Sequence, residues 1–301
     1  MKKLFLIPIL VLNTLLLYSQ KSELKREWLY KDSLNYHNIL QVLSDSSLLK
    51  KPTLFFDKII PFYLKSNKDL GFGLTLIKGY QYGGYTTANI SALIYDKEII
   101  QLEISYSKDD KKIIQLFAEE KNHINQQTSY INKSKYKKYV AFVSTKLGDT
   151  SNILNTNTEY QRNFNFLTNP ILSFRYGTIC YSGGVEPKGR IAINYFIAKK
   201  DSNALREIMK RYNPEGRLYA VDALLKLSND NIISLTNDDK LLIYKIISSK
   251  IPISACIGCL VSNSTANQLI KQKIDLSEEI KIINQENKIR KEQGLQKRVG
   301  Y

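Results

Sequence analysis

Residues 88–106 constrain the fold of this chain more than any other stretch. Ala88, Ile90, Ala92 and Ile94 fall on one side of an extended segment, and Asp96-Lys97 supplies a turn. Ile100, Leu102, Ile104 and Tyr106 then resume the period, with Gln101, Glu103 and Ser105 on the other side. Period-two alternation around a turn predicts an antiparallel hairpin with one buried and one wet face. Ser107 with Asp110, placed before Ile113, Ile114 and Phe117, has the spacing of a capping box that opens a helix. The first half is therefore expected to be α+β.

Other elements in this half follow from composition. Residues 21 to about 50 read as helix, with Leu24, Trp28 and Leu29 as apolar anchors. Residues 54–64 are aromatic and β-branched, which favours strand, with Pro61 at an edge or an end. A strand with glycines at its margins is expected over 71–80, and a short strand over Tyr139–Val143. Residues 146–163 are rich in Asn, Thr, Asp and Ser with few apolar anchors and read as a linker. The expected layout is an α+β domain over 21–145, that linker, and a helical domain over 164–301.

Helical spacing dominates after the linker. Pro187-Lys188-Gly189-Arg190 recurs as Pro214-Glu215-Gly216-Arg217, each leading into an apolar helix. Between them Leu205, Ile208, Met209 and Tyr212 form a stripe. Thr236 with Asp239 forms a second capping box before Leu242, Ile243, Ile246 and Ile247. Helix pairs of this kind bury their apolar faces by stacking on neighbours. Residues 185–250 resemble HEAT or armadillo-like helical repeats, which implies a stacked-helix C-terminal domain with an extended surface. Proline suits a first helical turn and glycine a close approach. The two arginines, Arg190 and Arg217, either pair with carboxylates such as Glu186 or Glu215 or form a repeated ligand-facing row. One more helix is expected over 264–292, carried by Leu276, Ile280 and Ile283.

The N-terminus addresses compartment. Lys2 and Lys3 precede a stretch, Leu4–Leu17, in which 11 of 14 residues are Leu, Ile, Val or Phe, and a charged segment follows Gln20. This is the layout of a cleavable secretory signal over residues 1–20, too short to span a bilayer. Its Ser19-Gln20 ending resembles leaders of the Bacteroidota. An exported protein, periplasmic, envelope-associated or secreted, with no transmembrane helix after cleavage, is expected. Without residues 1–20 the chain keeps 42 Lys and Arg against 28 Asp and Glu, a net charge of +14. That charge hydrates the surface or attracts anionic envelope polymers. No nucleic-acid partner is expected, because of the expected compartment and the even spread of charge, despite the dense run Lys133–Lys138.

Chemistry is constrained by what is scarce. The chain has three cysteines, Cys180, Cys256 and Cys259, and two histidines, His37 and His123. A tetrahedral zinc site is hard to build from these, and no other cofactor is indicated. Cys256-x-x-Cys259 has the spacing of a thiol–disulfide oxidoreductase, but that motif needs a strand before it and a helix N-terminus at it. A structural disulfide, within the pair or from Cys180 to one member, is the favoured reading, leaving one thiol unpaired. Nucleophile-elbow, zincin and phosphate-loop motifs do not occur. A carboxylate hydrolase leaves no spacing to detect; Glu186, Glu215 and Asp222 are its candidates by location. Tyr80-Gln81-Tyr82-Gly83-Gly84-Tyr85 places three tyrosines around two glycines, either as a loop or as a stacking surface for sugar or peptide. The functional expectation is non-catalytic binding or scaffolding in the envelope, with a protein or an envelope polymer as partner. A glycan-directed hydrolase and a thiol oxidoreductase are the alternatives.

Overall fold

The computed structural model describes residues 45–60, 65–83, 87–106, 128–150, 157–180 and 183–270, with scattered positions in 23–42 and 281–292. The leader, the helix expected after Ser107, His37, His123, Tyr85 and most of the expected C-terminal helix lie outside the described residues. The chain forms two compact units, Met1–Asn67 with Ile77–Lys133, and Lys68–Leu76 with Ser134–Tyr301.

The five-stranded sheet is built on the expected hairpin, which lies in the first unit. Strands β1 (Lys65–Gly71), β2 (Leu74–Tyr82), β3 (Thr87–Tyr95), β4 (Glu98–Tyr106) and β5 (Thr128–Ile131) form one sheet in that order. β3 and β4 pair antiparallel, with Ala88 opposite Tyr106 and Ala92 opposite Leu102. The Asp96-Lys97 turn has positive φ at both residues, 51° and 62°, as a two-residue hairpin of the type I′ kind requires. The register shifts between Leu93 and Ile94, so Ile99, not Ile100, stands opposite Ile94. This bulge lets both adjacent isoleucines be buried, which simple alternation forbids.

The sheet's apolar face is covered by helices. Ala88, Ile90, Ala92, Ile99, Leu102 and Ile104 share a core with Ile39 and with the short helices α1 (Ser46–Leu49) and α2 (Pro52–Ile59). α2 corrects the strand expected over 54–64. Pro52 starts the helix, and Phe55, Phe56 and Ile59 fall on one helical face. Burial of that face outweighs the β-propensity of its aromatic residues. Trp28, expected as an anchor, is 43% exposed, and Ile39 does the burying instead.

The second unit is mainly helical. It holds α3 (Lys133–Leu147), α4 (Thr158–Thr168), α5 (Lys188–Ala198), α6 (Ser202–Met209), α7 (Pro214–Asn229), α8 (Asn237–Ile247) and the short α9 (Ala266–Leu269), with a hairpin of β6 (Ile253–Ile257) and β7 (Leu260–Ser264). α3 corrects the strand expected at 139–143. Tyr139, Val143 and Leu147 are its buried residues, spaced four apart. The expected linker is partly helix too. Asn157 caps α4 by accepting from the N–H groups of Glu159 and Tyr160, so polar residues there serve a helix start. α7 is central, touching α4, α5, α6, α8 and β6. It is buried nearly all round, from Leu218 to Leu227. Among the described residues no helix is long and apolar enough to cross a membrane.

The Thr236–Asp239 capping box is present. Asp239 also accepts from Arg206, Nε to Oδ1 at 2.8 Å and Nη2 to Oδ2 at 2.9 Å, tying α6 to the start of α8. Burial alone would raise the Asp239 pKa, but the hydrogen bonds from Arg206 and Thr236 hold it below the ordinary 3.8. A carboxyl depressed on folding contributes stability that is complete above its unfolded value and lost as pH falls through the folded one. Asp239→Asn is therefore expected to lower stability at neutral pH and to flatten its decline below about pH 4, read by urea unfolding at stepped pH. An unchanged acid limb would remove this pair from the stability of the unit.

Candidate functional site

The candidate site is the exposed part of the sheet face turned away from α1 and α2, a face on which Leu74, Leu76 and Leu93 are by contrast buried. Ile77 packs against the apolar core, so alternation turns Lys78, Tyr80 and Tyr82 to the opposite side of β2. Asn89 and Ser91 on β3, and Gln101, Glu103 and Ser105 on β4, face that same side, since their neighbours Ile90, Leu102 and Ile104 line the core. Asn89 stands opposite Ser105, and Ser91 opposite Glu103. β5 continues the row with Ser129 opposite Glu103. Residues 83–86 are too short a link for a parallel crossover, so β2 and β3 run antiparallel. Tyr80 and Tyr82 thus lie at the end of β2 that turns into Thr87 and Asn89.

The two tyrosines form a ring pair. Their centroids are 5.5 Å apart with planes at 64°, and they are 41% and 61% exposed. Large rings left open to water on a strand present an apolar body with a polar tip. The end of the strand is held in place. The buried Asp32 lies so close to Gly83 that a Cβ there would fall 1.8 Å from its Oδ1, so a larger residue at 83 would have to displace the Asp32 side chain. Gln101 donates to Glu103 at 3.0 Å and presets both side chains. A flat array of two rings, amides and hydroxyls can stack on a sugar ring and meet its hydroxyl groups. Tyr85 lies outside the described residues.

The other expected site residues lie in the second unit, turned inward. Arg190 is 9% exposed. It donates to Gly177 O at 3.2 Å and to Asp222 at 2.9 Å, over the Tyr219 ring. The Tyr219 hydroxyl accepts from Gly177 N and reaches the carbonyls of Arg175 and Gly177, and burial raises its pKa well above the ordinary range. Arg217 is 3% exposed and donates to Leu70 O at 2.9 Å over the Phe72 ring. Glu215, fully buried, accepts from Lys68 Nζ and from Ser254 N through one oxygen. Glu186 accepts from Asn194 on the surface. The candidate carboxylates thus occupy separate places with separate partners. A shallow depression beside Arg217 contains Lys245 and Ser249, which donate to the carbonyls of Lys146 and Ile246.

Cys180 and Cys256 form the disulfide, and Cys259 is an exposed thiol. Cys256 lies on β6 and Cys259 in the β6–β7 turn. A strand rather than a helix N-terminus surrounds the pair, so the helix that lowers a thiol pKa in redox motifs is not at this place. Among the described residues no three His, Cys, Asp or Glu side chains converge to hold a metal.

Sequence reading took Tyr80 and Tyr82 as part of a loop or a stacking surface, and the structure places both on strand β2, beside the polar row of β4 that alternation had outlined. The sequence reading missed Asn89 and Ser91 as partners of that row, although the same alternation contains them. It also missed the Lys68–Glu215 and Arg206–Asp239 pairs, for which no local pattern exists. Comparisons with protein-family models, with curated proteins and with solved structures find no match to this chain.

Proposed function

We propose that the chain is a non-catalytic binding protein of the cell envelope, whose sheet unit holds the glycan of an envelope polymer. The observation that carries this reading is the exposed Tyr80–Tyr82 pair beside an amide and hydroxyl face. Sugar rings offer apolar C–H faces to aromatic rings and hydroxyl edges to planar polar groups. The net charge of +14 over residues 21–301 adds attraction to anionic polymers. The leader-like residues 1–20 and the disulfide both suit a compartment outside the cytoplasm. The helical unit, with its two Pro-x-Gly-Arg helices, is read as a HEAT-like scaffold.

The test is co-sedimentation of residues 21–301 with purified insoluble peptidoglycan, with cellulose as an uncharged comparison. The wild-type chain is expected to sediment with peptidoglycan. Tyr80→Ala with Tyr82→Ala is expected to weaken binding roughly tenfold or more, since each ring contact contributes on the order of 1 kcal/mol. Far-UV circular dichroism should stay unchanged, because both rings are exposed. Equal binding by wild type and double variant, or no sedimentation with either polymer, would end this reading.

A further inference from the structure

The second unit carries an open strand edge. β6 and β7 form a two-stranded sheet registered from Ile253–Ser264 to Ile257–Leu260. The far side of β6 is occupied. Tyr176 N donates to Ser254 O, Cys256 N donates to Tyr176 O, and Ser254 N donates to Glu215. Ser254 and Cys256 therefore aim their backbone groups away from β7, and Ile253, Ala255 and Ile257 aim theirs towards it. The same alternation makes Leu260, Ser262 and Ser264 the partners of β6. Val261 and Asn263 then point their N–H and C=O groups outward, where no backbone partner is found among the described residues.

Among the described residues nothing guards this edge. Folded proteins blunt such edges with lysine, proline or a covering element. The chain has 44 Lys and Arg, yet β6, the Gly258-Cys259 turn and β7 contain no charged residue and no proline. β7 is exposed along almost its whole length, with Leu260 at 75% and Val261 at 49%. Next to the hairpin, Ile179 and Val185 flank Cys180, which bridges both Val185 and Gly258, and both side chains are also exposed. Two copies of residues 21–301, with net charge +14 each, repel over most of their surfaces and meet at least cost where charge is missing.

We infer that β7 pairs antiparallel with β7 of a second copy about a two-fold axis at Ser262. The register is self-complementary. Each Val261 stands opposite an Asn263, the two residues with outward backbone groups, and they exchange hydrogen bonds. Each Ser262 stands opposite its own copy in a non-hydrogen-bonded pair. A marginal two-stranded sheet becomes four-stranded, and the contact is isologous, so it closes at a dimer. The inference does not depend on glycan binding. Where both hold, the dimer presents two tyrosine platforms and gains avidity on a polymer.

The experiment uses residues 21–301 with Cys259→Ser throughout, so that the exposed thiol makes no chance cross-links. Size-exclusion chromatography with light scattering is expected to give twice the chain mass. Val261→Pro, which removes one outward N–H without touching the β6 ladder, is expected to give a monomer. Added Ser262→Cys is expected to form an intermolecular disulfide with oxidised glutathione, because opposite residues in such pairs lie about 4.5 Å apart at Cα, within disulfide range. Leu260→Cys, far from its copy in this register, is expected not to. A monomer at the highest soluble concentration would overturn the inference. So would a dimer that Leu260→Cys cross-links and Ser262→Cys does not.

Discussion

Replacing Cys180 and Cys256 together by alanine is expected to lower the stability of the helical unit by about 4 kcal/mol. The bond joins residues 76 apart in sequence. Closing a loop of that length removes denatured-state entropy equivalent to about 4.5 kcal/mol in the chain-entropy model, and native relaxation offsets part of it. The segment it pins is otherwise held by hydrogen bonds to Asn213, Tyr219, Arg190 and β6. The described residues of 169–187 hold no helix or strand, apart from single bridges at Tyr176, Cys180 and Val185. Such a long irregular connection stays ordered only when it is tied down. Alanine is the right replacement, because both residues are buried, at 2% and 1% exposure, and serine would leave an unpaired hydroxyl. Cys259→Ser, at an exposed position, is expected to change stability by less than about 0.5 kcal/mol. Urea unfolding of the three chains gives the comparison, and digestion without reductant should release one peptide pair containing Cys180 and Cys256. A linked Cys256–Cys259 peptide, or a Cys259 variant as weak as the double variant, would refute the assignment.

The parts of this molecule that were legible in its sequence are those whose cause is local. The β3–β4 hairpin is specified by alternation and by its turn. The box at Thr236 and Asp239 is specified by three-residue spacing. The Pro-x-Gly-Arg sequences did mark helix starts, at Lys188 and Pro214. Errors arose where propensity and packing disagree. Residues 52–59 and 133–147 contain aromatic and β-branched side chains that suit strands, but their buried residues recur at helical spacing. The bulge beside Ile94 was hidden because a pair of adjacent isoleucines carries no sign of which one faces the core. The tyrosine pair could be found because Tyr80 and Tyr82 share a strand. Arg190 finds Asp222 32 positions away, and Lys68 finds Glu215 at 147, which only the folded chain reveals.

Gly216→Ala is expected to destabilise the helical unit by about 3 kcal/mol, against the intrinsic helix preference. Alanine in a helix interior is favoured over glycine by about 1 kcal/mol, so a position chosen for propensity would gain. Here α7 meets the end of α4 backbone to backbone. A Cβ on Gly216 would lie 1.8 Å from Leu167 O and 2.9 Å from its carbonyl carbon. That oxygen belongs to the last turn of α4, whose Leu167 side chain is fully buried, so the backbone must move as a body. Overpacking of this kind costs about 1–3 kcal/mol, and more when no side chain can yield. The other glycine of the repeated sequence provides the control. At Gly189 the nearest atoms to an added Cβ are ring carbons of Tyr219 and Phe174, at 2.5 and 2.8 Å, side-chain atoms rather than backbone. Gly189→Ala is therefore expected to cost less than Gly216→Ala. Urea midpoints measured by far-UV circular dichroism would rank the two. If Gly216→Ala proved neutral or stabilising, the close crossing of α4 and α7 would be wrong, and with it the reason for glycine at the third position of the second Pro-x-Gly-Arg.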